Sequence, residues 1–205
     1  MEKLYTYLAL GDSYTIGEAL PLQASFPYQA VQALRREKLH MAPPEIIAKT
    51  GWTTDELSAA LSDYTFLRHY DFVSLLIGVN NQYRGRTVEE YTPGCAALLE
   101  RAVTLAHGKP ERVFVLSIPD YGVTPFVQEK GLDPQKIAGE IDQFNAAARA
   151  LAAQYGTHYI DITEGTREAA ADSTLLAADG LHPSEKEYVR WGAKLALAMQ
   201  LAMNS

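Results

Sequence analysis

The sequence predicts an α/β fold built on a five-stranded parallel sheet, from three observations. Short β-type runs are near-continuously apolar, as in strands covered on both faces. They alternate with longer helical patterns, the β-helix-β rhythm that gives parallel sheets with right-handed crossovers. The helices also carry start and stop signals at their ends. The first strand is placed at Tyr5 to Leu10, followed by a helix whose solvated end is Arg35-Arg36-Glu37-Lys38. Glu45 to Lys49 and Phe72 to Ile77 are the second and third strands. Thr87 with Glu90 has capping-box spacing and opens a helix from Val88 to His107, with Gly108 as its stop and Pro93-Gly94 as an expected bend. Arg112 to Ile118 is the fourth strand, and a long connection from Pro119 to Gly131 follows it. Asp133-Pro134 is an N-cap followed by proline at the first helical position, and Gly156 ends that helix. His158 to Asp161 is the fifth strand, and Ser184 with Glu187 suggests a second capping box for the last helix.

The 205 residues suit a single domain spanning 1–205, which buries roughly 70% of the surface its extended chain would expose. Lys plus Arg total 18 against 25 for Asp plus Glu, and the net charge of −7 opposes binding to nucleic acid or to an anionic membrane surface. Cys95 is the one cysteine, so no internal disulfide is possible, and it reads as a small buried hydrophobe. The apolar Leu4 to Leu10 stretch is too short for a signal-peptide core and lacks a small-residue cleavage site. No run approaches the roughly 18 apolar residues of a membrane helix. A cytoplasmic location and no membrane insertion are therefore expected; oligomeric state has no sequence signal.

Four short stretches fall beyond the carboxyl ends of the expected strands. Gly11-Asp12-Ser13 follows the first, Gly51 before Trp52-Thr53-Thr54 the second, Gly78-Val79-Asn80 the third, and Asp179-Gly180-Leu181-His182-Pro183 comes after the fifth. In an open parallel sheet those ends share one rim, where ligands bind. Singly, each stretch has a structural reading: Asp12-Ser13 as a helix cap, Gly51 and Asn80 as turn residues, Asp179-Gly180 as a tight turn. Together they supply the parts of an acyl-transfer site. A serine hydroxyl needs a neighbouring base to take its proton, and histidine does this near neutral pH. Ser13 and His182 are the candidates, with Asp179 three residues before His182 to fix its tautomer and stabilise the imidazolium. The backbone N–H groups of Ser13 and Gly51 and the Asn80 side chain are the candidate oxyanion donors. The field of the helix after Ser13 is expected to help the developing negative charge. The Gly-X-Ser-X-Gly elbow of the α/β-hydrolase fold is absent.

These residues resemble the SGNH hydrolases, the GDSL-type esterase and lipase superfamily, named for the Ser, Gly, Asn and His matched here by Ser13, Gly51, Asn80 and His182. The resemblance spans Tyr7 to Trp191. It implies a flavodoxin-like three-layer α/β/α sandwich and a serine acyl hydrolase mechanism on a small-molecule ester. One position departs from the pattern: the Asp that usually follows the third-block Asn is Asn81 here. Within the resemblance, small or short-chain acyl esters, carbohydrate acetyl esters among them, are the expected substrates. A lysophospholipase, lipase or thioesterase activity is the alternative.

Tyr14, Trp52, Asn81, Tyr83, Arg84 and Tyr121 fall in the rim loops as candidate substrate-binding residues, with Arg86 beside them. Packing that secures the loops is the competing reading for the aromatics, and solvated surface for the arginines. His40, His69, His107 and His158 lack a nucleophile and carboxylate context, and no metal-ligand spacing is present. No metal or cofactor is needed by the expected chemistry. A rival reading takes Ser13-Tyr14-Thr15-Ile16-Gly17 as the hydroxyl-rich phosphate loop of a flavin- or nucleotide-binding flavodoxin-like protein, which leaves the His182 stretch unexplained.

Overall fold

In the computed structural model, which describes residues 3–203, the five strands are β1 (Tyr7–Asp12), β2 (Glu45–Lys49), β3 (Phe72–Leu76), β4 (Val113–Leu116) and β5 (His158–Ile160). All pairings are parallel, and the order across the sheet is β2-β1-β3-β4-β5. Every residue of β1, β3 and β4 is buried, which accounts for their unbroken apolar character. The helices are α1 (Ser13–Ile16), α2 (Phe26–Arg36), α3 (Thr54–Ser62), α4 (Val79–Tyr83), α5 (Val88–Leu105), α6 (Pro125–Lys130), α7 (Pro134–Tyr155), α8 (Thr163–Arg167) and α9 (Glu185–Met203). They flank the sheet as a three-layer α/β/α sandwich: α2 packs against α9, while α5 packs against both α3 and α7. The core runs from Leu8, Leu10 and Phe72 in the sheet to Phe26, Leu34, Leu99, Ile141, Trp191 and Leu195 on the helices. Among the described residues no helix is long and apolar enough to cross a membrane.

The chain leaves β1 toward β2 and returns to place β3 on the other side of β1. The sheet's direction of winding reverses there, and loops at the carboxyl ends of β1 and β3 diverge to leave a crevice. The first strand sits two residues later than expected, so that Gly11-Asp12 closes the strand and Ser13 is the first helical residue. A Cβ on Gly11 would lie 2.1 Å from Thr15 Oγ1 and 2.5 Å from the Leu76 carbonyl. Only glycine lets α1 fold back over the strand end.

Several end signals act as expected. Thr87 and Glu90 form the capping box of α5, Asp133 caps α7 by accepting from the amides of Gln135 and Lys136, and Gly156 ends α7 in the left-handed conformation. Helix α5 continues through Pro93, and Gly94 gives room to Thr54, whose Oγ1 would be 2.7 Å from an added Cβ. Three expectations are corrected. The Ser184–Glu187 capping box does not form: Ser184 Oγ donates to the Thr174 carbonyl at 2.7 Å, while Glu187 is turned inward to accept from Trp191 Nε1 at 2.8 Å. The buried indole needs an acceptor, and Glu187 lies one turn before it. The long connection from Pro119 to Gly131 is only in small part loop, since a 3₁₀ turn (Tyr121–Val123) and α6 occupy most of it. The helix after the nucleophile candidate is a single turn of four residues whose N-cap is already the Asp12 carboxyl. A helix that short has little field to offer, so the support expected from it is absent.

Candidate active site

Ser13 stands at the carboxyl end of β1 and is buried. Its Oγ is 3.0 Å from His182 Nε2, although 169 residues separate the two in the chain. His182 Nδ1 is 2.6 Å from Asp179 Oδ2. The other carboxylate oxygen, Oδ1, accepts from the backbone amides of Leu181 and His182, both at 3.0 Å. The three-residue spacing thus makes a small turn closed on its own carboxylate, with Gly180 at φ +66°. Burial by itself raises the Asp179 pKa, but the hydrogen bonds from the His182 ring and the two amides outweigh it and hold the carboxyl below its ordinary range. The ring is supported from the other side by Tyr14, whose centroid is 4.9 Å away.

The second and third strands deliver the candidate oxyanion donors. After β2, the Trp52 amide donates to the Lys49 carbonyl at 3.2 Å and closes a turn in which Gly51 has φ +82°. That is the third position of the turn, where the backbone sign favours glycine. After β3, Asn80 is the second residue of α4. Its Nδ2 lies 3.1 Å from the Trp52 carbonyl and 3.4 Å from Asp12 Oδ2. Asp12 is fully buried, and its Oδ1 accepts from the Tyr14 amide at 3.0 Å. Burial, only partly offset by the bonds from Tyr14 and Asn80, pushes this carboxyl up to about 7.

These groups surround a cavity of about 150 Å³ lined by Ser13, Gly51, Asn80 and His182 on its polar side, with Tyr83, Tyr121, Phe126 and Leu181 among its apolar walls. Of the six candidate substrate-binding residues, Tyr14, Tyr83 and Tyr121 line it. Tyr83 is half exposed and packs against Tyr121 and Phe126 with centroids 6.0 and 6.1 Å apart. The Tyr121 hydroxyl donates to Gln82 Oε1 at 2.8 Å, which fixes that wall. Trp52 is not part of the lining; its ring packs partly buried against the core. Asn81 is fully buried behind the cavity, with Oδ1 accepting from the Thr54 amide at 3.1 Å and Nδ2 donating to Thr54 Oγ1 at 2.9 Å. The amide therefore makes one bond of each polarity to a single residue. Arg84 turns back onto the Gly51 carbonyl and Glu56, and Arg86 pairs with Asp55.

Thr50, Val79 and Leu181, which sequence reasoning passed over, also line the cavity, as does Phe126 of the Pro119 to Gly131 connection. Leu181 and Thr50 adjoin His182 and Gly51, so adjacency to a motif was the available signal. Among the described residues, no group of three or more His, Cys, Asp and Glu side chains is placed to hold a metal ion. His158 Nε2 is 3.0 Å from the Glu111 carbonyl and its ring stacks on Phe114, while the rings of His69 and His107 lie 4.6 Å apart.

Comparison with known structures gives the same architecture. TesA superposes with a TM-score of 0.73 at 19% identity, covering 96% of this chain and 99% of that one. A lipase/acylhydrolase from Enterococcus faecalis gives 0.75 at 18%, with 98% and 96% covered. The acetylxylan esterase Axe2 from Geobacillus stearothermophilus gives 0.70 at 19%, with 98% and 94% covered. No curated protein matches the sequence significantly. The sequence profile of the GDSL-like lipase/acylhydrolase family matches residues 9–190, which takes in all four stretches that build the cavity, and the chain belongs to that family of ester hydrolases.

Proposed function

We propose that the protein is a serine carboxylesterase that cleaves small or short-chain acyl esters through an acyl-enzyme intermediate. The observation that carries this reading is the continuous contact from Ser13 Oγ to His182 Nε2 at 3.0 Å and from His182 Nδ1 to Asp179 at 2.6 Å, opening onto the cavity. Ser13 Oγ attacks the ester carbonyl carbon while its proton passes to His182 Nε2. Asp179 holds the ring with Nδ1 protonated and balances the imidazolium, without itself taking the proton. The carbonyl oxygen becomes an oxyanion that accepts from the amides of Ser13 and Gly51 and from Asn80 Nδ2. The 3.4 Å contact to Asp12 is the weaker of the two Asn80 makes, and its hydrogen is the one the oxyanion takes over. His182 returns the proton to the departing alkoxide oxygen. Water then attacks the acyl carbon, giving a proton to His182, which passes it to Ser13 Oγ as the bond from that oxygen to the acyl carbon breaks, releasing the acid and free Ser13.

A cavity of 150 Å³ has the size of an apolar void that accommodates one benzene molecule, about 150 Å³. That volume supports an acyl group of acetyl to butyryl size beside the aromatic wall, the acetyl ester of a sugar among the candidates. A p-nitrophenyl series from acetate to palmitate tests this. The optimum is expected at butyrate or shorter, with kcat/KM falling by on the order of 1 kcal/mol for each methylene the cavity cannot take. An optimum at octanoate or longer, or activation by phospholipid vesicles, would instead support a lipase or lysophospholipase.

A further inference from the structure

The Gly51 amide is a useful donor only if a glycine, free to adopt either sign of φ, is held in one orientation. Three elements grip the turn that carries it. Thr50 Oγ1 donates to the carboxylate of Glu18, just beyond α1. Asn80 Nδ2 donates to the Trp52 carbonyl at 3.1 Å. Arg84, which ends α4, donates from Nη2 to the carbonyl of Gly51 itself at 2.6 Å. The guanidinium is in turn fixed by Glu56: Nη1 to Oε1 and Nη2 to Oε2 are both 3.2 Å. Glu56 Oε2 also accepts from the Thr53 amide at 2.9 Å, which ties the pair to the start of α3. A planar fork with several donors can serve a carbonyl and a carboxylate at once, which an ammonium cannot do with the same geometry.

We propose that Arg84 is a positioning residue for the oxyanion site: it clamps Gly51 between α3 and α4, so that the Gly51 and Asn80 donors keep a fixed separation. The inference rests on the esterase reading above. It differs from a substrate-binding role, because both terminal nitrogens of Arg84 are already bonded within the protein, to the Gly51 carbonyl and the Glu56 carboxylate. With its side chain 43% exposed, Arg84 can be replaced without opening the core.

The test uses Arg84→Ala and Arg84→Lys, measured on p-nitrophenyl acetate together with thermal melting and the affinity for phenylboronic acid, whose tetrahedral serine adduct presents an oxygen to the same donors. Arg84→Ala is expected to lower kcat on the order of 10-fold with KM changed less than about 2-fold, and to weaken the boronate by a similar factor. Arg84→Lys is expected to recover only part of the loss. An Arg84→Ala protein that melts like the wild type and has unchanged kcat overturns the proposal. A rise in KM alone, or full recovery by lysine, also overturns it by assigning the effect to charge. If the wild-type protein neither cleaves the ester nor binds the boronate, the esterase reading fails and this inference falls with it; if the wild type is active through Ser13 and Arg84→Ala equals it, only the role of Arg84 is lost.

Discussion

Replacing Asp12 by Asn isolates a carboxyl that is fully buried between the candidate nucleophile and the candidate oxyanion amide, with no cation beside it in any ion pair of the described residues. Its pKa is pushed from the ordinary 3.8 up to about 7. At about 1.4 kcal/mol for each tenfold change in proton affinity, that difference is worth about 4 kcal/mol. The native state binds the proton more tightly than the unfolded chain, so the contribution is intact below about pH 4, where both states are protonated. As pH rises, the unfolded chain ionises first and stability falls. The loss is complete once pH passes the folded value near 7. Asn cannot titrate, but its Oδ1 can still accept from the Tyr14 amide, and any mismatch of its Nδ2 with Asn80 is independent of pH. Urea unfolding of the wild type and Asp12→Asn at several pH values between 4 and 8 therefore has a definite expectation: the variant gains about 4 kcal/mol relative to the wild type across that window. A difference between the two proteins that stays constant with pH would refute the reasoning.

Asn80→Ala is expected to lower kcat by about 10² to 10³-fold with little change in KM, as for loss of one oxyanion donor; steady-state kinetics on a short ester checks it, and a selective rise in KM would make Asn80 a binding residue instead. Asn81→Asp should leave kcat unchanged, because among the described residues the side chain hydrogen-bonds to Thr54, whose hydroxyl can reverse and donate to a carboxylate. A fall in kcat at constant KM and melting temperature would mean that position 81 reaches the chemistry.

The parts of the site that could be read in the sequence are those whose chemistry requires a particular residue at a strand end. Ser13, Gly51 and Asn80 follow the carboxyl ends of β1, β2 and β3, and a parallel sheet brings such ends to one rim, whereas His182 lies well beyond the end of β5. The Asp179 turn was legible because its bonds are local, to residues two and three positions on. Roles that depend on distant partners were not. Nothing near Asn81 or Arg84 indicates that they bond to Thr54 and Gly51, 27 and 33 residues earlier. Arg84 accordingly looked like a substrate contact. Ser184 and Glu187 have the spacing of a capping box, but Trp191 competes for the carboxylate and wins through burial. Thr53 and Glu56 have the same spacing and do form one, a signal present in the sequence and passed over. Helix α1 is too short to show any periodicity. Helix α6 begins at Pro125, a first-position proline that marked its start.

The central claim is that Ser13 is the nucleophile, and covalent labelling tests it most directly. An organophosphorus or sulfonyl fluoride reagent, followed by peptide mass mapping, should add once, to Ser13, in step with loss of esterase activity. Ser13→Ala should take up no label and lose at least ~10³-fold in turnover. Label on another serine, with full activity retained in Ser13→Ala, would contradict the account.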